Sequence, residues 1–425
     1  MTSIRCIDGS LTGEKYKPGV VFDFRLAIPC ADTEAFAILI EHDGQIDANV
    51  NALLRLADAG KAPYCVSIGV VAGRLRYPDG TERYMRMNSY DWFDREYGDF
   101  IVHELIPHVA KTYGLKFSES PDMHMVSGGS SGGVSAFVVA WFHPDYFHRV
   151  YLSSPSYIAL GRGNEIPYLV RKYEPKPLRI YNEYSEHEPN DYFGWSRAID
   201  AEAGAAFKYA GYESKTRYFP GEGHSSRYRD EEEAVRRMEW LWRDWDKEPV
   251  TVKRMSPRVS AIIPSANAWE RCDAFPEVPE AEVPAELKAI YSHIVLSNDG
   301  KVWYAARQYD DWIEMIVNET PLRPERALAQ GALHTIPRQK QKGVIDMVTD
   351  KCDRLFVLTG AGVQCVRSFG LIDAILSLPD DGCPERIAIT DALYVKTDQG
   401  CYRRELRDEC VLESEQKRKH VDYYD

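Results

Sequence analysis

Six residues, Gly128-Gly129-Ser130-Ser131-Gly132-Gly133, constrain this chain more than any others. An alternating apolar run (Met123, Met125) leads into them and a helix-compatible run, 134–142, leads out. A serine at the apex of a sharp strand-to-helix reversal needs bare backbone two residues before and two after it, because side chains there would strike the adjoining strand and helix. Gly128 and Gly132 satisfy that frame for Ser130, while Gly129 and Gly133 give a second frame around Ser131. The competing reading is a phosphate-binding glycine loop, but neither G-x-x-x-x-G-K-[ST] nor G-x-G-x-x-G occurs here. The stretch therefore reads as strand, tight turn and helix, presenting a nucleophilic serine.

The chain around it alternates strands and helices. Strands are expected at 20–29, 35–41, 64–71, 150–153, 178–181 and 214–219, and helices at 50–59, 99–113, 196–210 and 231–245. Residues 1–18 read as an irregular lead-in. This rhythm predicts a mostly parallel sheet with helices on both faces, filling a first domain over 1–248. A chain of 425 residues is long for one domain at about 150 residues each. After Trp245 the texture changes: Pro249, Pro257, Pro264, Pro276, Pro279 and Pro284 mark a linker over 249–284. Beyond it come short strands and turns, an all-β domain over 285–425. Val348-Thr349-Asp350 followed by 355–359 and Gly362 repeats, 41 residues on, as Ile389-Thr390-Asp391 followed by 393–397 and Gly400. A looser copy spans 296–304. A strand-built period near 40 predicts propeller-like blades, about three of them from Leu287 onward. The last residues are highly charged, with Val411 and Leu412 the only candidates there to cap a sheet.

Charge and cysteine usage narrow the partners. With 52 basic and 65 acidic residues the net charge is −13, which argues against nucleic acid. The nine cysteines are scattered without a C-x-x-C pair, so neither a disulfide framework nor a zinc knuckle is expected. No stretch approaches 18 apolar residues and the N-terminus lacks an apolar signal core. A cytoplasmic protein with no membrane contact is the expectation.

A serine hydroxyl becomes a nucleophile only when a base takes its proton and a carboxylate orients that base. In α/β-hydrolases the order along the chain is nucleophile, acid, base. His224, in the loop Gly221-Glu222-Gly223-His224-Ser225 between the last strand and the last helix of the first domain, stands where the base belongs. His143 and His148 come too early, and His187 lies among acids. The loop after 178–181 offers Glu183, Glu186, Glu188 and Asp191, and spacing alone does not choose among them. The backbone N–H groups of Ser131 and Val71 are the expected oxyanion donors. Arg86 and Tyr90 are candidates to line the substrate cleft.

Residues 20–247 resemble the esterase family that includes enterochelin esterases and esterase D. The likeness rests on the Ile-Pro and His-Asp-Gly strand ends, on Arg86 with Tyr90-Asp91, on Glu104-Leu105-Ile106-Pro107 and on the elbow with Pro144-Asp145-Tyr146-Phe147. Ser153-Ser154-Pro155-Ser156 and the Gly-Glu-Gly-His-Ser loop complete it. The resemblance implies an α/β-hydrolase fold, Ser130 rather than Ser131 as nucleophile, and Glu188 as the acid with Asp191 second. It also implies a small-molecule ester substrate, siderophore-like or otherwise polar, and no cofactor. The all-β domain faintly resembles part of a gluconolactonase-type propeller, but that family's metal ligands are not recognisable, so no metal is carried over.

The expectation is thus a serine esterase working through Ser130, His224 and Glu188. Its rivals are an acyltransferase using the same residues and a non-catalytic assembly protein. Three blades alone would leave open strand edges, so a homodimer closing a six-bladed ring through the C-terminal domain is expected. A small β-sandwich is the alternative.

Overall fold

Strands with no polar alternation must be covered on both faces, and those at the centre of the first unit are. In this computed structural model residues 2–44, 46–158, 162–279, 281–327, 333–335, 341–366 and 370–407 are described. The chain divides into two units, Met1–Tyr168 with Pro175–Arg254, and Leu169–Glu174 with Met255–Asp425.

The first unit opens with β1 (Ile4–Thr12), β2 (Val20–Pro29), β3 (Ala37–His42), α1 (Asp47–Asp58) and β4 (Cys65–Val70). Short strands β5 (Arg74–Arg76) and β6 (Glu82–Tyr84) precede α2 (Arg86–Tyr90) and α3 (Glu96–Phe100). A π-helical segment, Ile101–Leu105, links α3 to α4 (Ile106–Tyr113). Pro107 lacks an N–H and crowds the carbonyl four residues back, and the widened turn just ahead of it accommodates the ring. Then come β7 (His124–Gly129), α5 (Ser131–Phe142), β8 (Arg149–Ser153), α6 (Ile166–Lys172), whose residues from Leu169 on count with the second unit, and β9 (Arg179–His187). The hairpin β10 (Asn190–Asp191) and β11 (Gly194–Trp195), α7 (Ser196–Ala210), β12 (Glu213–Gly223) and α8 (Glu231–Leu241) follow.

The sheet runs β12-β9-β8-β7-β3-β4-β2-β5-β6, with β1 paired to β2. From β12 to β4 every pairing is parallel, and β1, β2 and β5 are antiparallel. This is the expected mostly parallel sheet with helices. Its register brings Gly129 opposite Ser153 and Ser153 opposite Glu183, so the carboxyl ends of β7, β8 and β9 form one edge. The expected lead-in over 1–18 is corrected: Ile4–Thr12 forms a strand from Ile4↔Pro29 to Thr12↔Val21. Its exposure alternates as in an edge strand, so it carries too few apolar residues to announce itself.

Beneath that sheet lies a buried polar network. Arg237 on α8, fully buried, donates Nε and Nη2 to Asn49 Oδ1 at 3.0 and 2.7 Å and Nη2 to the Tyr228 carbonyl at 2.7 Å. Glu41 on β3 accepts from Ile46 N, Asn49 Nδ2 and Ser67 Oγ at 2.9, 2.8 and 2.9 Å. Burial raises its carboxyl to about 7, outweighing those bonds and the Arg237 charge. A carboxyl raised on folding holds its proton more tightly in the native state, so its stabilisation is present in acid and lost as pH rises to about 7. Relative to Glu41→Gln, the native chain should therefore lose on the order of 2 kcal/mol of stability between about pH 5 and 8. Urea unfolding at several pH values measures this, and a pH-independent gap between the two proteins would show that Glu41 keeps one charge state.

Among the described residues the second unit holds twelve strands: β13 (Glu270–Cys272), β14 (His293–Leu296), β15 (Val302–Ala306), β16 (Glu314–Val317), β17 (Arg323–Ala327), β18 (Asp346–Thr349), β19 (Leu355–Thr359), β20 (Gly362–Val366), β21 (Ile372–Leu376), β22 (Pro384–Ile389), β23 (Leu393–Thr397) and β24 (Gly400–Arg404). They form three four-stranded antiparallel sheets, β14-β15-β16-β17, β18-β19-β20-β21 and β13-β24-β23-β22. The sequence repeats fall at equivalent places, each spanning the end of an outermost strand of a sheet and the next strand or two. β13 arises inside the proline-rich stretch 249–284 and pairs with the last strand. Glu174 and Arg404, both buried, form a two-bond ion pair at 2.9 and 2.6 Å, and Glu174 also accepts from Ser377 N. Val411 and Leu412 lie outside the described residues. Among the described residues Cys352 is disulfide-bonded, a bridge that the scattered spacing does not signal. Among the described residues no helix is long and apolar enough to cross a membrane.

Candidate active site

Ser130 sits at the turn between β7 and α5 with φ 56° and ψ −131°, a conformation that non-glycine residues rarely adopt. The flanking glycines are required by contact. A Cβ on Gly128 would stand 2.2 Å from the Gly132 carbonyl oxygen, and one on Gly133 3.1 Å from Pro155 Cβ. Ser130 Oγ lies 2.9 Å from Ser156 Oγ. Ser131 instead begins α5, is buried, and hydrogen-bonds Asp91.

Two strands along, the loop after β9 meets the loop after β12. Glu188 Oε2 bonds His224 Nδ1, while its Oε1 accepts from Ser154 Oγ at 2.6 Å and Ser185 N at 2.8 Å. Burial raises this carboxyl, but the bonds from His224, Ser154 and Ser185 prevail and hold it below the usual carboxylate range. The other three candidate acids, Glu183 and Glu186 within β9 itself and Asp191 in β10, are engaged elsewhere. Glu183 is buried and accepts from Tyr151 and Ser153 hydroxyls; Glu186 accepts from Gly221 N; Asp191 caps its own turn through Phe193 N. Glu188 alone of the four meets the histidine.

Serine hydroxyls knit these loops together. Ser154 Oγ also accepts from Ser225 N at 3.0 Å, and Ser130 N donates to the Ser153 carbonyl at 2.9 Å. Ser154 and Ser225, like Ser130, have positive φ (44° and 52°), so backbone strain gathers at this edge. Arg237 steadies the same loop from below, through the carbonyls of Arg227 and Tyr228. Asp200 on α7 is held well above the usual carboxylate range, by burial first and then by the Glu188 charge. A neutral acid there spares Glu188 a second buried anion.

Two of the expected cleft residues are corrected. Val71 N–H donates to the Asp23 carbonyl at 2.9 Å and is not available to an oxyanion. The strand beside β7 is β3, not β4, so the turn facing the elbow is His42-Asp43-Gly44. A Cβ on Gly132 would lie 3.0 Å from Asp43 Oδ2 and 3.1 Å from His42 Cβ. Tyr90 is fully buried and cannot touch a substrate; its hydroxyl accepts from Asp43 N at 3.2 Å and supports that turn. Arg86, partly exposed, grips Asp43 through Nε and Nη2 at 2.9 and 2.7 Å. Asp43 itself has φ 62°.

Sequence reasoning missed His42, Asp43, Ser154, Ser156 and Arg237 as parts of this site. Burial pushes the His42 imidazole down to about 4. Its Nδ1, 2.9 Å from the Gly132 carbonyl, is therefore the donor of a neutral ring that braces the first turn of α5. The sequence signals were the His-Asp-Gly strand end and the Ser153-Ser154-Pro155-Ser156 run.

Residues 31–300 match a family model described as "Putative esterase". No protein with a curated description matches the sequence. Among solved structures, an enterobactin esterase from Shigella flexneri, determined in the presence of enterobactin, is 17% identical with a TM-score of 0.44, over 57% of this chain and 60% of that one. An IroE-like serine hydrolase from Shewanella oneidensis is 16% identical with a TM-score of 0.44, over 55% and 79%. A ferulic acid esterase is 15% identical with a TM-score of 0.41, over 56% and 98%. This chain thus spans about three fifths of the length of the enterobactin esterase.

Proposed function

Because this chain belongs to that esterase family, we propose that it hydrolyses carboxylic esters through Ser130, His224 and Glu188 by way of an acyl-enzyme. The observation that carries the reading is the meeting of Glu188 with His224 Nδ1 at the sheet edge where Ser130 stands in a strained turn. Ser130 Oγ attacks the ester carbonyl carbon while His224 Nε2 takes its proton. Collapse of the tetrahedral intermediate expels the alcohol, which leaves with that proton. Water, deprotonated by His224 in turn, then releases the acid and restores the serine. Glu188 remains ionised throughout, fixing the tautomer and stabilising the imidazolium.

The developing oxyanion accepts from Ser131 N–H and Asp43 N–H in this reading, since Asp43 follows the strand beside the elbow and abuts Gly132. Tyr90 hydroxyl holds the Asp43 N–H until the substrate arrives. The hairpin two residues past Glu188 carries exposed Tyr192, Phe193 and Trp195, with the first two rings 4.0 Å apart. These faces favour an ester bearing an aromatic group. Fluorophosphonate should label the native chain, and of 4-nitrophenyl, catechol and sugar esters the two aromatic classes should rank first. An unlabelled, inactive protein would leave the assembly-protein reading standing.

Three four-stranded sheets in the second unit also support a dimer, because two such sets complete a six-bladed ring across a two-fold axis. Light scattering of the full chain at micromolar concentration should give twice the 48.5 kDa chain mass, and a monomer would sink the shared ring.

A further inference from the structure

The first unit carries a second group of chemistry-bearing side chains, beyond the end of α5 opposite Ser130. Asp99 in α3, His103 in the π segment and His143 just after α5 each bring one ligand-type atom within 4.8 Å of the other two. Asp99 Oδ1 lies 3.4 Å from His143 Nε2 and 3.8 Å from His103 Nε2. We propose that these three residues form a binding site for a divalent transition cation of the zinc class, separate from the ester-cleaving edge.

Tetrahedral zinc with bonds of about 2.0–2.1 Å sets its ligand atoms about 3.3 Å apart. The Asp99–His143 separation already meets that spacing. The Asp99–His103 separation must close by a few tenths of an ångström, and the His103 side chain, 48% exposed, can turn to do so. Asp99 and His103 are four residues apart on continuous helical backbone, which keeps both on one face. His143 is held against that face by close packing. A Cβ on Gly98 would stand 2.7 and 2.8 Å from its Cδ2 and Nε2, so only glycine admits the ring. Two imidazoles and one carboxylate suit zinc, cobalt or nickel better than magnesium or calcium, which prefer all-oxygen shells. Arg95 is the neighbouring cation, with Nε 3.1 Å from Asp99 Oδ1 and 3.2 Å from Oδ2. Kept on Oδ2, it orients the carboxylate as an outer-shell partner while Oδ1 turns to the ion. Water completes the shell from the exposed side.

The twelve residues of α5 span about 18 Å, so the ion does not reach the ester. It acts instead as a clamp between the α3–π stretch and the far end of the helix that bears the elbow. The full-length chain, stripped with a chelator and dialysed, should bind about one Zn²⁺ in calorimetry. Saturation at roughly 100-fold above Kd should raise Tm by several degrees. Co²⁺ should give the visible absorption of a tetrahedral nitrogen–oxygen site, without the near-ultraviolet band of thiolate ligation. His103→Ala, at a half-exposed position that folding tolerates, should weaken Zn²⁺ by at least about tenfold and erase the Co²⁺ spectrum. Asp99→Asn should do likewise. No binding at micromolar Zn²⁺, thiolate-type Co²⁺ absorption, or undiminished binding by His103→Ala would each overturn the site.

Discussion

Ser130→Ala should lose fluorophosphonate labelling and slow 4-nitrophenyl ester hydrolysis by about 10⁴- to 10⁶-fold, the scale on which a nucleophile acting with its base is lost. The backbone would barely notice the change, since the strained φ of 56° belongs to the turn and the oxygen contributes only its contact with Ser156. Native-like unfolding of the variant would therefore accompany its inactivity. Ser131→Ala is the paired control. Its hydroxyl hydrogen-bonds Asp91 and its residue is buried in the first turn of α5, so labelling should persist at a reduced rate. Full labelling of Ser130→Ala would move the nucleophile to Ser131 and with it the whole frame of the elbow.

Glu188→Gln should lower kcat by about 10⁴-fold with little change in KM, as expected when an imidazole is left in the wrong tautomer. A glutamine in this place can present an N–H to His224 Nδ1, which then keeps the proton on the other nitrogen, where the base is needed. Asp191→Asn should stay within about twofold of the native rate, because Asp191 serves only its own turn. A larger loss from Asp191→Asn would transfer the role of acid to it. The pH profile separates the partners further. The Glu188 carboxyl sits below the usual carboxylate range, so its share of stability is complete above that range and fades only as pH falls through its lowered value. A decline of kcat/KM in milder acid therefore does not report protonation of Glu188.

Much of this protein was determined by its sequence alone, where the signal is local. Gly128 is needed because a Cβ there would collide with the Gly132 carbonyl four residues on, a constraint that a short stretch carries by itself, whereas Gly132 and Gly133 are bounded by Asp43 and Pro155 from other parts of the chain. The runs that became β3, β4, β7 and β8 are mostly apolar and buried throughout because parallel central strands are covered on both faces. The repeats at 348–363 and 389–401 likewise announced sheets that recur. Tertiary structure decided what depends on which strands become neighbours. The edge strand β1 is half exposed and is defined by its partner β2, far more than by its own residues. Val71 lost the oxyanion role because β3, not β4, lies beside the elbow strand. Tyr90, polar at its tip and read as a cleft residue, is fully buried behind Asp43. Four acids within nine residues were equivalent to spacing and to charge. Only the approach of the β12 loop to the β9 loop, with Ser154 and Ser185 hydrogen-bonding Glu188, distinguished one of them. Hydrogen bonds between residues more than thirty positions apart have no periodicity to betray them, so their partners emerge only when the sheet brings the loops together.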